Sequence, residues 1–169
     1  MNLILCGYKA SGKTTIASAF GKKYNFKVLD TDAILSECFY KMHGQQLTVP
    51  EIYAVLGEQK FRALEFSVLQ GLQLNHKTIV ACGGGTVIKF ENLALLKQLG
   101  KIVYVFASKE DLKHRLEKLE VKCFSDIRTY LHSRDDIYQI AADLILDTSN
   151  KSIAELLPTL YQYWSKYGI

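Results

Sequence analysis

Proline is nearly missing from this chain, with only Pro50 and Pro158 in 169 residues, and no proline- or serine-rich linker interrupts it. Without such a break, the length and the 49% hydrophobic content fit one unit with a sizeable core. Cysteine is sparse and scattered. Cys6, Cys38, Cys82 and Cys123 form no C-x-x-C and stand beside no histidine at zinc-finger spacing. A zinc-finger class and a disulfide framework are therefore excluded, and reduced, packed thiols are expected. No apolar run approaches the roughly 18 residues of a membrane helix. No leader-like segment stands before the first apolar run, so a soluble, cytoplasmic protein is expected. Charge of one sign is scarce too: the net charge is +4, and the one basic cluster, Lys109 to Lys122, also contains Glu110, Asp111, Glu117 and Glu120. Such interleaving makes a solvated helix face and argues against nucleic acid as a partner. A small positive excess suits an enzyme whose substrates are anions.

Five short apolar runs are present: Leu3–Cys6, Phe26–Leu29, Thr78–Cys82, Ile102–Phe106 and Leu144–Leu146. Helical patterns separate them, which predicts a parallel sheet covered on both faces, with ligands beyond the carboxyl ends of the strands. Thr48 to Glu51 and Ser108 to Asp111 each place a hydroxyl residue three positions before an acid, the spacing of a capping box at a helix start.

Between the first strand and the first helix lies Gly7-Tyr8-Lys9-Ala10-Ser11-Gly12-Lys13-Thr14-Thr15, which fits G-x-x-x-x-G-K-[ST]. Gly7 and Gly12 allow a loop whose N–H groups point inward at a polyphosphate, with Ala10, Ser11 and Thr15 completing the cradle. Lys13 reaches the β and γ phosphates, Thr14 offers its hydroxyl to Mg²⁺, and the helix dipole adds positive potential.

Three further groups stand at or near strand ends. Asp30-Thr31-Asp32 follows the second strand: Asp32 alone could be a helix N-cap, or Asp30 could help hold Mg²⁺ while Asp32 accepts a hydrogen bond from a hydroxyl to be phosphorylated. Gly83-Gly84-Gly85 follows the third strand and offers bare backbone N–H groups to a small ligand. A helix opening at Gly57 carries a buried stripe of Phe61, Leu64, Val68, Leu69 and Leu72, with Arg62 off it between Glu58 and Glu65. Arg62 reads equally well as one rung of a surface ion-pair ladder or as a fork held for a substrate carboxylate.

As an ordered set these motifs resemble the shikimate kinase family: P-loop, D-T-D, G-E-x-x-F-R-x-x-E, G-G-G, then R-x-x-x-Y and A-D. Here they stand at Gly7–Thr15, Asp30–Asp32, Gly57–Glu65, Gly83–Gly85, Arg134–Tyr138 and Ala142-Asp143. The resemblance implies a three-layer α/β/α fold with a five-stranded parallel sheet, the P-loop NTPase fold of nucleoside-monophosphate-kinase type. It implies a single kinase domain over 1–169, with a substrate-binding region about 32–62 and a lid about 116–128. It implies ATP-dependent phosphorylation of the 3-hydroxyl of shikimate in aromatic amino-acid biosynthesis, with Mg²⁺ and a monomer. In that scheme Asp32 holds the substrate hydroxyls, Arg62 and Arg134 the carboxylate, Gly83, Gly84 and Gly85 the ring, and Arg115 stacks on adenine.

The chain departs from the family at the lid, where R-P-L-L is usual. Leu116 to Ser125 contains neither arginine nor proline, so the lid cation is Lys118, Lys122 or Arg128; counting back from Arg134 favours Lys118. Lysine cannot reproduce the arginine fork. Cys82 replaces the small hydroxyl residue usual before the glycines. Two rival readings share the loop: a gluconate kinase, which has no need of the Arg62 and Arg134 pair, and a regulatory module that binds ATP without turnover.

Overall fold

Each of the five apolar runs becomes a strand: β1 Leu3–Cys6, β2 Lys27–Asp30, β3 Thr78–Ala81, β4 Lys101–Phe106 and β5 Leu144–Asp147. The computed structural model describes residues 1–118 and 134–167. All neighbouring pairs are parallel, in the order β2-β3-β1-β4-β5. The helices are α1 Lys13–Tyr24, α2 Thr31–His43, α3 Val49–Gln70, α4 Phe90–Leu99, α5 Lys109–Lys118, α6 Asp135–Ala141 and α7 Ile153–Tyr167.

Side chains alternate across a strand, so central β1 feeds two cores. Leu3 and Leu5 meet Ile16 and Phe20 of α1 and Leu157 and Leu160 of α7. Ile4 and Cys6 face the other way, into a cluster with Leu69, Leu96 and Tyr138 from α3, α4 and α6. This is the three-layer α/β/α arrangement. A third cluster, Leu35, Phe39, Ile52, Phe61 and Val68, ties α2 to α3 beside the sheet. Burying each such side chain contributes about 1.5–3 kcal/mol, which fixes the strand ends relative to one another.

One local expectation changes. The helix expected to open at Gly57 belongs to a longer one from Val49, kinked where Gly57 adopts φ 71 and ψ 168. Both capping residues act: Thr48 N–H donates to Glu51 Oε2 at 2.7 Å, and Asp111 N–H donates to Ser108 Oγ at 3.1 Å. Cys6 and Cys82 are buried thiols and Cys38 a half-buried one; Cys123 lies outside the described residues. Among the described residues no helix is long and apolar enough to cross a membrane.

Candidate active site

At the carboxyl end of β1 the chain turns through Gly7 to Gly12 and enters α1, so Lys13 is held at the base of the loop. Only 8% exposed, Lys13 donates from Nζ to the carbonyls of Gly7 at 2.9 Å and Tyr8 at 2.7 Å. Burial pushes its ammonium below the usual lysine range, and the Asp32 carboxylate is the strongest influence in the opposite direction. Thr14 Oγ1 donates to Asp30 Oδ2 at 2.8 Å. Asp30 Oδ1 accepts the N–H groups of Asp32 at 3.0 Å and Ala33 at 3.3 Å.

The N-cap of α2 is therefore Asp30, and the reading of Asp32 as the cap is corrected. An N-cap has extended backbone, and Asp30 has it as the last residue of β2 (φ −121, ψ 117), whereas Asp32 already lies inside the first turn. With the cap supplied by its neighbour, Asp32 turns into a cleft of about 680 Å³ shared with Lys13, Thr14, Asp30, Arg62, Gly83, Gly84, Gly85 and Arg134. Burial, then the charge of Asp30, raises the Asp32 carboxyl above its ordinary value, while Lys13 and Lys9 pull it down.

The glycine triplet has a more specific task than offering bare N–H groups. The Gly83 N–H is already taken by Thr31 Oγ1 at 3.0 Å. A Cβ at Gly83 would lie 2.4 Å from Asp32 Oδ1, and one at Gly85 would lie 3.0 Å from both terminal nitrogens of Arg62. Absent side chains thus seat a carboxylate and a guanidinium against the backbone.

Arg62 pairs with Glu65 rather than Glu58: Nη1 donates to Glu65 Oε2 at 2.9 Å, and among the described residues no ion pair joins it to Glu58. Glu65, 6% exposed, also accepts from Thr86 Oγ1 at 3.0 Å and Asn92 Nδ2 at 3.1 Å. A carboxylate with three donors is not a surface rung; it is a fixed post. Arg62 Nε remains a buried donor without a partner among the described residues. Thr86 and Asn92 were not foreseen, because no spacing rule joins them to Arg62.

Arg134 enters the cleft just ahead of α6. One turn on, Tyr138 is fully buried, its hydroxyl donates to the Gly84 carbonyl, and its ring stacks on Tyr104 at 5.1 Å. Tyr104 in turn donates to Asp135 Oδ1 at 2.6 Å. The R-x-x-x-Y spacing therefore ties the arginine and the glycine strip to one helix. The A-D pair has a purely structural place: Asp143 Oδ2 accepts the Ile102 N–H at 2.8 Å and Oδ1 meets Lys101 Nζ at 3.0 Å.

A second cleft of about 420 Å³ lies across the P-loop, sharing Ala10, Gly12 and Thr15 with the first and adding Ser11, Arg115, Lys118, Thr148 and Lys151. Arg115 Nη1 donates to the Ser11 carbonyl at 3.2 Å and Thr148 Oγ1 at 3.3 Å, which presses the guanidinium against the loop. Lys118 opens onto this cleft and not onto the one holding Asp32. Lys122 and Arg128 lie outside the described residues.

The family model described as shikimate kinase matches residues 9–163. A shikimate kinase of Geobacter metallireducens is 30% identical over 169 residues, covering 96% of this chain and 90% of its own. One from Dehalococcoides mccartyi is 30% identical, covering 98% and 94%. The structure of Acinetobacter baumannii shikimate kinase in complex with shikimate superposes with TM-score 0.83 at 25% identity, covering 98% of this chain and 93% of its own. That of the Aquifex aeolicus shikimate kinase superposes with TM-score 0.78 at 27% identity, covering 99% and 98%.

Proposed function

The chain belongs to the shikimate kinase family, and from that premise we propose how its residues divide the transfer of a phosphoryl group from ATP to the 3-hydroxyl of shikimate. Its activity is ATP-dependent phosphorylation of shikimate in aromatic amino-acid biosynthesis. The observation that carries the residue assignments is the convergence of Lys13, Asp32, Arg62, Gly83–Gly85 and Arg134 on one cleft of about 680 Å³.

Polyphosphate lies along the P-loop backbone from Gly7 to Thr15, its nucleoside in the smaller cleft against Arg115. Lys13 leaves the loop carbonyls for the β and γ oxygens, a ready exchange because its partners there are neutral. Arg62 and Arg134 bind the shikimate carboxylate. The orphaned Arg62 Nε is a donor that a carboxylate satisfies at little desolvation cost, since the group is already dry. Asp32 accepts the hydrogen of the attacking hydroxyl, and its raised pKa makes it the better proton acceptor. The new bond joins the shikimate oxygen to the γ phosphorus as the bridge to ADP breaks. Positioning and charge neutralisation supply most of the rate.

Thr14 and Asp30 fit Mg²⁺: a hydroxyl and a carboxylate oxygen 2.8 Å apart beside the phosphate loop are hard donors for an ion that keeps most of its water. Thr14 and Asp30 would hold the ion, which would supply positive charge against the polyphosphate. Lys118 belongs to this reading as a cation on the nucleotide side. A single kinase domain working as a cytoplasmic monomer completes it.

The test is ADP release by the purified protein with ATP and Mg²⁺, with shikimate, with gluconate and with no acceptor. Release that requires shikimate is expected. Preference for gluconate overturns the acceptor, and ATP binding without turnover points to the regulatory module.

A further inference from the structure

The acceptor cleft contains a cation with no task so far. Lys9 sits in the outer turn of the P-loop, where Ser11 N–H donates to the Tyr8 carbonyl at 3.2 Å and Ala10 bends the chain with φ 67. Lys9 lines the cleft together with Lys13, Thr14 and Asp32. The other cations there are occupied. Lys13 is buried against loop carbonyls, Arg62 is anchored to Glu65, and Arg134 has interactions of its own. Lys9 is exposed, and among the described residues no hydrogen bond or ion pair engages its ammonium. Its charge nevertheless reaches the Asp32 carboxylate.

That position matters for charge. Polyphosphate runs along the loop that carries Lys9, and the acceptor hydroxyl is held at Asp32, so Lys9 stands where the donor and acceptor halves of the cleft meet. Phosphoryl transfer spreads negative charge over three equatorial oxygens, and an ammonium on a flexible stem can follow a moving group with three donors. Resting on the kinase reading above, we propose that Lys9 is a catalytic cation whose ammonium contacts the γ-phosphoryl oxygens as the group passes from ATP to the acceptor.

Lys9→Met and Lys9→Arg test it, each assayed for kcat and both KM values and titrated with ADP, then with ADP, aluminium fluoride and shikimate together. Lys9→Met is expected to lower kcat at least about tenfold and to weaken the aluminium fluoride complex in parallel, while ADP affinity stays within about twofold. Lys9→Arg should restore most of the turnover, because it restores the charge. Unchanged kcat in Lys9→Met overturns the proposal, as does no recovery in Lys9→Arg. Loss of ADP affinity in step with kcat also overturns it, by showing a structural role. Wild-type protein without shikimate-dependent ADP release would instead overturn the kinase reading on which Lys9 depends.

Discussion

The two ends of the sheet treat their polar groups in opposite ways. At the amino ends, Asn2 donates to the Leu99 carbonyl at 3.1 Å and accepts the Thr78 N–H at 3.1 Å, and Asp143 secures Ile102 and Lys101. At the carboxyl ends, Arg62 Nε and Ser11 Oγ are buried without partners among the described residues, Lys13 is desolvated, and burial raises the Asp32 carboxyl. Both ends carry a cleft, about 510 Å³ and about 680 Å³. Volume does not separate them. What separates them is whether the polar groups are satisfied by protein or held ready for something else, and folding free energy is given up only at the second end.

Substitutions should therefore damage chemistry at one end and stability at the other. Lys13→Ala should show the largest effect, lowering kcat by about a thousandfold or more while leaving the circular dichroism spectrum unchanged, because it removes the only buried ammonium of the loop. Retained turnover would remove the P-loop from the mechanism. Arg62→Lys should raise the KM for shikimate by about 10- to 100-fold and leave ADP affinity near wild type, since lysine keeps the charge and loses the fork. Equal weakening of both ligands, measured calorimetrically, would return Arg62 to a structural role.

At the opposite end the signs reverse. Asp143→Ala strands the N–H of Ile102, a residue with 0% exposure, and should cost about 1–3 kcal/mol of stability, several degrees in Tm, with kcat and both KM values unchanged. A kinetic effect as large as the loss in stability would break the division between the two ends.

How far the sequence disclosed these ends depends on the distance over which each feature is determined. The central strands β1, β3 and β4 were legible because buried parallel strands must be apolar. The misplaced boundary is β2, where Phe26 packs on Phe20 of α1 rather than pairing, and Asp30 pairs with Ala81 through a backbone indifferent to its side chain. The P-loop was legible for the same local reason. Arg62 was undecided on spacing alone because both answers use i+3 geometry. Glu65 decides it only through Thr86 and Asn92, which arrive from a different part of the chain. The glycine triplet was visible, but its purpose was not: the atoms that would collide with side chains there belong to Asp32 and Arg62, 51 and 23 residues away. Asp30 as cap, and the consequent freedom of Asp32, likewise rests on where β2 stops.

The smallest effect expected is on folding, and it tests whether Asp32 is held at a cost. Its folded-state pKa lies above the ordinary 3.8, chiefly through burial and then through Asp30 and Glu65, against the opposing charges of Lys13 and Lys9. Below the unfolded value both states are protonated and Asp32 has no influence. As pH rises from there through the raised folded value, the unfolded chain ionises first, and the native state loses stability relative to it. Asp32→Asn never ionises. It should therefore unfold at a higher Tm than wild type at neutral pH, apart from the loss of turnover its proposed role requires, and the difference should vanish near pH 3. Lys13 loses its strongest favourable neighbour in the variant, which reduces the gain; burial is the larger influence on both groups, so the sign remains positive. A lower Tm for Asp32→Asn at neutral pH would make Asp32 a stabilising partner of Lys13, and the carboxyl end of the sheet would then resemble the amino end.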